Sequence, residues 1–129
     1  MRIIAHRGSS ENYPPNTLLA FKKALEAGVD GIETDLRLSR DKIAIIFHDA
    51  NLKKITGLNK APEKLTLGEL QKLDAGNGEH IPSLDELLLL TSAQATLILN
   101  IKYESSTYKE LCGIIEKKIR DKTDWVEVS

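Results

Sequence analysis

Polar side chains able to do acid–base and ionic chemistry stand at or near the ends of strand-like segments. They are His6, Arg7, Glu33, Asp35, His48, Asp49, Lys102 and Glu104. In parallel α/β folds the carboxyl ends of several strands converge on one face, and active sites form there. We therefore expect these side chains to lie together.

Each of these residue types predicts a separate part of one reaction. Glu33 and Asp35 lie two residues apart on a strand pattern, so both carboxylates face the same side and could hold one cation. Hard oxygen ligands favour Mg²⁺ or Ca²⁺. Arg7 suits bidentate binding of a phosphate, and His6 and His48 suit general acid–base catalysis. The set predicts metal-assisted cleavage of a phosphodiester.

Simpler interpretations exist for the same residues. A histidine at a strand end is often a structural hydrogen-bonding group, and a Glu-x-Asp pair can face water on an uncovered edge. We expect His80, in a polar loop, to be solvated surface, and Cys112 to fill core space beside an apolar helix face. The functional interpretation depends on five residues lying on one side of the same sheet, namely His6, Arg7, Glu33, Asp35 and His48.

Strand-like and helix-like patterns alternate along the chain and must position these residues. Strands are predicted over 2–5, 31–38, 43–47, 96–101 and 125–128, with a tight turn joining the second and third, and helices over 17–27, 66–73, 83–91 and 108–120. Asn16 is the expected N-cap of the first helix and Gly28 its stop, while Ser83 and Glu86 form a capping box. This alternation is typical of an α/β fold with a mainly parallel sheet.

Composition limits the class of protein. The 129 residues carry 18 Lys and Arg against 19 Asp and Glu, a net charge of −1, which argues against a nucleic-acid surface or a polybasic membrane arm. No apolar run approaches the ~20 residues of a membrane span. The single cysteine permits no internal disulfide, and Met1 leads directly into a strand pattern without a leader. We therefore expect a cytoplasmic protein.

Taken with their order, these motifs make the sequence similar to the glycerophosphodiester phosphodiesterase family over all 129 residues. The matching segments are His6-Arg7-Gly8, Pro14-Pro15-Asn16-Thr17, Glu33 with Asp35, His48-Asp49, residues 52–57 with Lys54 at the usual Arg, and residues 81–86.

The resemblance implies a TIM-type (β/α)₈ barrel, of which this chain holds about the first five strands, so that domain 1–129 is incomplete at its C-terminal side. It also implies hydrolysis of glycerophosphodiesters to glycerol 3-phosphate and an alcohol, with His6 and His48 as acid and base. Arg7 and Lys102 would contact the substrate phosphate. Glu33, Asp35 and Glu104 would bind the metal, Mg²⁺ or Ca²⁺. The alternative is a phosphate-binding module, or an inactive fragment of such an enzyme, that does not catalyse the reaction.

Three departures from the family pattern lead to further expectations. Pro15 replaces an acidic residue, and Lys102 and Glu104 stand in exchanged order, so we expect divalent metals to bind weakly. A complete barrel needs about 250 residues. An incomplete one would expose interior side chains such as Ile45 and Ile98 and open strand edges, so we expect a homo-oligomer or part of a longer chain.

Overall fold

Apolar and polar side chains alternate along the strands, and this alternation gives the sheet two different faces. The computed structural model describes residues 1–102 and 107–129. Its strands are β1 (Ile4–His6), β2 (Gly31–Leu38), β3 (Ala44–Ile46), β4 (Thr96–Ile101) and β5 (Val126–Val128). We call the face that carries Glu33 and Asp35 the inner face, and the opposite face, which carries Ile32 and Leu36, the outer face.

The strand order is β1-β2-β4-β5, all parallel, and β3 pairs antiparallel with β2. Leu36 pairs with Ile101 of β4 on one edge of β2 and with Ile46 of β3 on the other. Strand β3 therefore lies on the same edge as β1, and it runs back toward the carboxyl end of β1. The predicted mainly parallel sheet with one tightly turned pair is confirmed.

Three helices cover the outer face: α1 (Leu18–Glu26), α4 (Leu84–Thr91) and α5 (Tyr108–Ile119). Their buried side chains, among them Phe21, Leu87 and Ile115, pack against outward-facing residues of β2 and β4 in one large hydrophobic cluster. Burial of this kind provides most of the stability of an α/β layer. The helix predicted over 108–120 is present almost to the residue.

A smaller hydrophobic cluster covers part of the inner face. It is built around residues 51–82, which form helix α2 (Lys53–Thr56), a 3₁₀ turn (Pro62–Lys64) and helix α3 (Leu67–Leu70). Ile45 and Phe47 project into this cluster beside Leu52, Leu70 and Ile81. The expectation that Ile45 would be exposed is wrong, because this segment folds over it; Ile98, further down the sheet, is half-buried.

The predicted cap at the start of α4 is confirmed, whereas the cap at the start of α1 is a different residue from the one predicted. Ser83 and Glu86 form the predicted capping box at the start of α4. Burial raises the pKa of Glu86, but hydrogen bonds from the Ser83 backbone and the His80 side chain outweigh it, and the pKa lies below its ordinary value. At α1 the N-cap is Thr17, whose hydroxyl accepts from the Ala20 N–H, and not Asn16.

The surroundings of His80 differ from the expected solvated surface. His80 Nε2 donates to the Glu86 carboxylate at 2.8 Å, so His80 is a partner of the α4 cap and not merely solvated surface. Within residues 1–102 and 107–129, no helix is both long enough and apolar enough to cross a membrane.

Candidate active site

The turn after β1 is shaped by two residues with left-handed backbone. Arg7 has φ of 59° and Gly8 has φ of 84°. A Cβ on Gly8 would lie 2.8 Å from the backbone carbon of Ala20 in α1, closer than real contacts allow. Gly8 therefore lets the turn press against α1, and this fixes the direction in which Arg7 leaves the sheet.

The Asp35 carboxylate is the buried centre of the site, with its side chain 3% exposed. Its Oδ2 accepts a hydrogen bond of 3.1 Å from Asn16 Nδ2, and Arg7 Nε lies at the same distance. The Arg7 Nε–H does not point along a hydrogen bond, so its attraction to Asp35 is mainly Coulombic. Asn16 Oδ1 in turn accepts from the Thr34 hydroxyl at 2.8 Å.

Glu33 binds the first histidine of the predicted pair. Its Oε1 lies 2.5 Å from Nδ1 of His6, the residue opposite it in the β1–β2 register. Because an ionised carboxylate can only accept, this contact places the hydrogen on Nδ1 and leaves Nε2 free to exchange a proton. The His6 side chain is 60% exposed.

The second histidine arrives by the antiparallel return of β3. The Phe47 N–H donates to the Asp35 carbonyl at 3.0 Å, and the Arg37 guanidinium reaches the His48 carbonyl at 3.4 Å. His48 Nδ1 lies 2.7 Å from Asp49 Oδ1. The two histidines thus share one arrangement, in which a carboxylate holds Nδ1 and leaves Nε2 for proton transfer.

A small cavity of about 40 Å³ lies where these elements meet. Arg7, Asn16, His48 and Asp49 supply its polar wall, and its other lining residues are Pro15, Ile46, Phe47, Ile55, Ala75 and Ile81. In the described part of the chain the Arg7 side chain makes no hydrogen bond, so its guanidinium N–H groups are available to an anion in the cavity. We call this space the catalytic cavity.

The structure brings five of the seven predicted site residues close together. Arg7 and His48 line the catalytic cavity and Asp35 supports Arg7, whereas His6 lies beside it on Glu33 and faces a neighbouring groove. Lys102 follows the last residue of β4, two positions beyond Asn100, which pairs with Asp35. The predicted ligand Glu104 lies outside the described residues.

The described carboxylates have limited capacity for a metal. Glu33 and Asp35 face the same side of β2, as predicted, but each is already engaged, by His6 and by Asn16 with Arg7. Within residues 1–102 and 107–129, no three His, Cys, Asp or Glu side chains are grouped to hold one ion. These residues fit a cation held by two carboxylates and do not form a preformed cage.

Two residues of the sequence motifs have roles in the site that the sequence alone does not predict. Asn16 is expected to cap a helix, but its buried amide bridges Asp35 and Thr34. Asp49, in the His-Asp motif, orients His48. The signal for Asn16 is its position next to Thr17, which is an equally good cap and leaves the asparagine free for another task.

Comparison with known proteins shows the family of the chain. The sequence matches the glycerophosphoryl diester phosphodiesterase family over residues 6–124. It is 33% identical to a glycerophosphodiester phosphodiesterase of Bacillus altitudinis, over 98% of this chain and 54% of that protein. It is 40% identical to one of Caldanaerobacter subterraneus, over 92% of this chain and 51% of that protein. The chain spans about half the length of the curated relatives it matches.

The fold has equally close counterparts. The structure superposes with a TM-score of 0.87 and 34% identity on an Oleispira antarctica phosphodiesterase in complex with the product sn-glycerol-3-phosphate, covering 93% of this chain and 52% of that one. Sheet, helices and site together define part of a TIM-type α/β barrel with its polar residues at the carboxyl ends of the strands. The chain belongs to the glycerophosphoryl diester phosphodiesterase family.

Removing the Asn16 amide tests the buried network around Asp35. We expect Asn16→Gly to lower the free energy of unfolding by ~1–3 kcal/mol, because the Asp35 carboxylate and the Thr34 hydroxyl lose a buried partner. Glycine tolerates the φ of 57° at this position, so the substitution adds no backbone strain. Urea unfolding followed by circular dichroism measures the change.

The matched control is Asn12→Gly, an exposed residue of the same loop. This variant carries the same entropic cost of a glycine in the unfolded chain. Equal losses of stability in both variants would contradict the proposed importance of the Asn16 amide.

Proposed function

We propose that this chain hydrolyses glycerophosphodiesters to glycerol 3-phosphate and an alcohol. The observation that carries the proposal is the catalytic cavity, in which a guanidinium held by a buried carboxylate faces a histidine oriented by another carboxylate. Cleavage of a phosphodiester requires a fixed cation, which stabilises the charge of the transition state, and a group that transfers a proton. Both line this cavity.

Arg7 supplies the charge for this reaction. Its position is set by Asp35 and by the turn at Gly8, so little reorganisation is needed when the phosphate develops charge in the transition state. Lys102, beyond the end of β4, adds a second cation toward the same phosphate. Because Arg7 is held beside Asp35, its charge is in place before the substrate binds.

His6 and His48 move the protons. Each has Nδ1 on a carboxylate, so Nε2 of one can take a proton from the attacking hydroxyl while Nε2 of the other gives one to the leaving alcohol. The attacking hydroxyl is that of the glycerol next to the phosphate, and its oxygen replaces the alcohol oxygen on phosphorus to give a cyclic phosphate. Water then attacks the phosphorus and opens the ring to glycerol 3-phosphate, so that one water is consumed overall. Glu33 and Asp49 keep the rings in the tautomer that this exchange needs.

Replacing either histidine tests this assignment. We expect His6→Ala and His48→Ala each to lower kcat by ~100-fold or more, the usual contribution of a general acid or base. The assay follows release of glycerol 3-phosphate from sn-glycero-3-phosphoglycerol in the presence of Mg²⁺. His80→Ala is the matched control, since His80 also contacts a carboxylate but belongs to the α4 cap.

Two results would contradict the proposal. An equal loss in His80→Ala would mean that the histidine substitutions act through stability. Saturable binding of glycerol 3-phosphate by the wild type with no product from any diester would support the alternative, a phosphate-binding module.

We further propose that a divalent cation, Mg²⁺ or Ca²⁺, is bound weakly by Glu33 and Asp35 together with Glu104. When bound, it would add positive charge beside the phosphate. The support is that both described carboxylates already have cationic or amide partners, and that Lys102 stands where the resemblance places a metal-binding carboxylate. Binding must then compete with these partners.

Titration calorimetry measures the affinity. We expect a millimolar dissociation constant for Mg²⁺ and Ca²⁺ in the wild type, in the range of loosely built oxygen sites, and at least about tenfold tighter binding in Lys102→Glu, since a cation is replaced by a ligand. Lys117→Glu, an exposed position on α5 with the same change of charge, is the control. Micromolar binding by the wild type, or no tightening in Lys102→Glu, would contradict this.

We also propose that the inner face of the sheet is covered by another polypeptide wall, from a second copy or from further strands of a longer chain. Ile4, on the inner face of β1, is 36% exposed, and Ile98, on the inner face of β4, is half-buried. Strand β5 leaves an open edge, on which Val128 is 50% exposed. Apolar side chains and open strand edges of this kind favour association.

Light scattering on the isolated chain tests the second-copy form. We expect dimers or larger species at micromolar concentration, and a shift toward monomer in Ile4→Lys, which places a charge on the inner face. Leu89→Lys on α4, also an exposed apolar position, should not change the mass. A stable monomeric wild type would contradict self-association.

A further inference from the structure

A larger open basin of about 550 Å³ adjoins the catalytic cavity. Its lining residues are Asp49, Asn51, Lys53, Lys54 and Asn59, and we call it the lysine basin. Asp49 lines both spaces, and Ile55, which follows Lys54 in α2, lines the catalytic cavity. Helix α2 therefore separates the two spaces and contributes to each.

The backbone of the lysine basin is held by local hydrogen bonds. Asn51 Oδ1 accepts from the Lys53 N–H at 2.8 Å, and Asn51 Nδ2 donates to Asn59 Oδ1 at 3.2 Å. The buried Leu52 between them donates its N–H to the Lys60 carbonyl at 2.9 Å. The two lysines are thus presented from an anchored turn, although their side chains are solvent-exposed.

The charge of the lysine basin is positive. Its carboxylate, Asp49, is already paired with His48. Neither Lys53 nor Lys54 has a carboxylate within ion-pair distance among residues 1–102 and 107–129. Among its lining residues there is no aromatic side chain, the group that recognises quaternary ammonium ions.

The residues of the catalytic cavity determine what must occupy the basin. Arg7 and His48 line the cavity, so the phosphate is expected to bind there. The two groups esterified to the phosphate then extend beyond these residues. Glycerol is small and neutral, whereas the lysine basin is large and cationic. The basin therefore suits the alcohol, which varies between substrates, better than it suits the glycerol.

We infer that the lysine basin is a subsite for the leaving alcohol and that Lys53 and Lys54 select alcohols carrying an acidic group. The inference rests on the proposed function and names its substrate class. Because both ammonium groups are exposed, their effect is modest and sensitive to salt.

Two ligands that differ by one phosphate test the inference. We would compare sn-glycero-3-phosphoinositol with sn-glycero-3-phosphoinositol 4-phosphate, measuring dissociation constants by calorimetry and kcat/KM by release of glycerol 3-phosphate. We expect the wild type to prefer the second ligand by about three- to tenfold at low ionic strength, with the preference shrinking at 0.5 M NaCl. sn-Glycero-3-phosphocholine, with a cationic alcohol, should be the poorest of the three.

The variant that removes the lysine charges is Lys53→Gln/Lys54→Gln. It should abolish the preference and leave the affinity for glycerophosphoinositol within about twofold. Lys109→Gln/Lys117→Gln, which removes two exposed lysines of α5, is the matched control and should keep the preference.

The binding measurement separates failure of the inference from failure of the proposed function. If the diesters bind but none is hydrolysed, the proposed function fails, and a preference that depends on Lys53 and Lys54 still supports the subsite. Equal affinity for the two inositol ligands, or a preference that survives the double substitution, overturns the subsite while leaving hydrolysis intact. Absence of binding by any of the three ligands overturns both.

Discussion

The buried carboxylate of Asp35 is the constraint on which the site depends. An ionised carboxylate removed from water is costly unless charges and donors surround it. Arg7 and Asn16 meet that requirement, and both adopt left-handed backbone, with φ of 59° and 57°. The turn that carries these residues lies against Ala20 of α1, so the position after Arg7 must be a glycine, Gly8, because a Cβ there would clash with Ala20. The conformation of the loop from β1 to α1 thus follows from one acidic residue on β2.

The same strand organises the other side of the cavity. Strand β3 returns antiparallel along β2, so Phe47 meets the Asp35 backbone and His48 descends toward the carboxyl end of β1. The segment after His48 then covers Ile45 and Phe47 with its own small hydrophobic cluster. This cluster, and not the main core, holds the catalytic cavity closed on one side. The functional geometry therefore rests on the satellite cluster as much as on the helices of the outer face.

Local signals in the sequence are sufficient to predict the helices and strands and part of the candidate site. The alternation along β2 placed Glu33 and Asp35 on one face, and the Ser83–Glu86 pair marked the start of α4. What the sequence could not provide depends on contacts between distant residues. Thr17 caps α1 because Asn16 is taken by Asp35, 19 residues away, and Ile45 is buried because a polar-looking segment folds over it. Neither contact leaves a periodic trace in the sequence.

The burial of the site residues divides the chemistry into two parts. The group that fixes charge is complete within this chain, since Asp35 is 3% exposed and Arg7 is anchored against it. The proton-transfer groups are open, since the side chains of His6 and His48 are 60% and 35% exposed. Water at the histidines would weaken every electrostatic interaction with a bound phosphate, because the local dielectric would remain high. For the proposed function this means that the cation facing the phosphate is fixed by residues of the first two strands, whereas proton transfer by the histidines would be more efficient under a further wall over the inner face of the sheet.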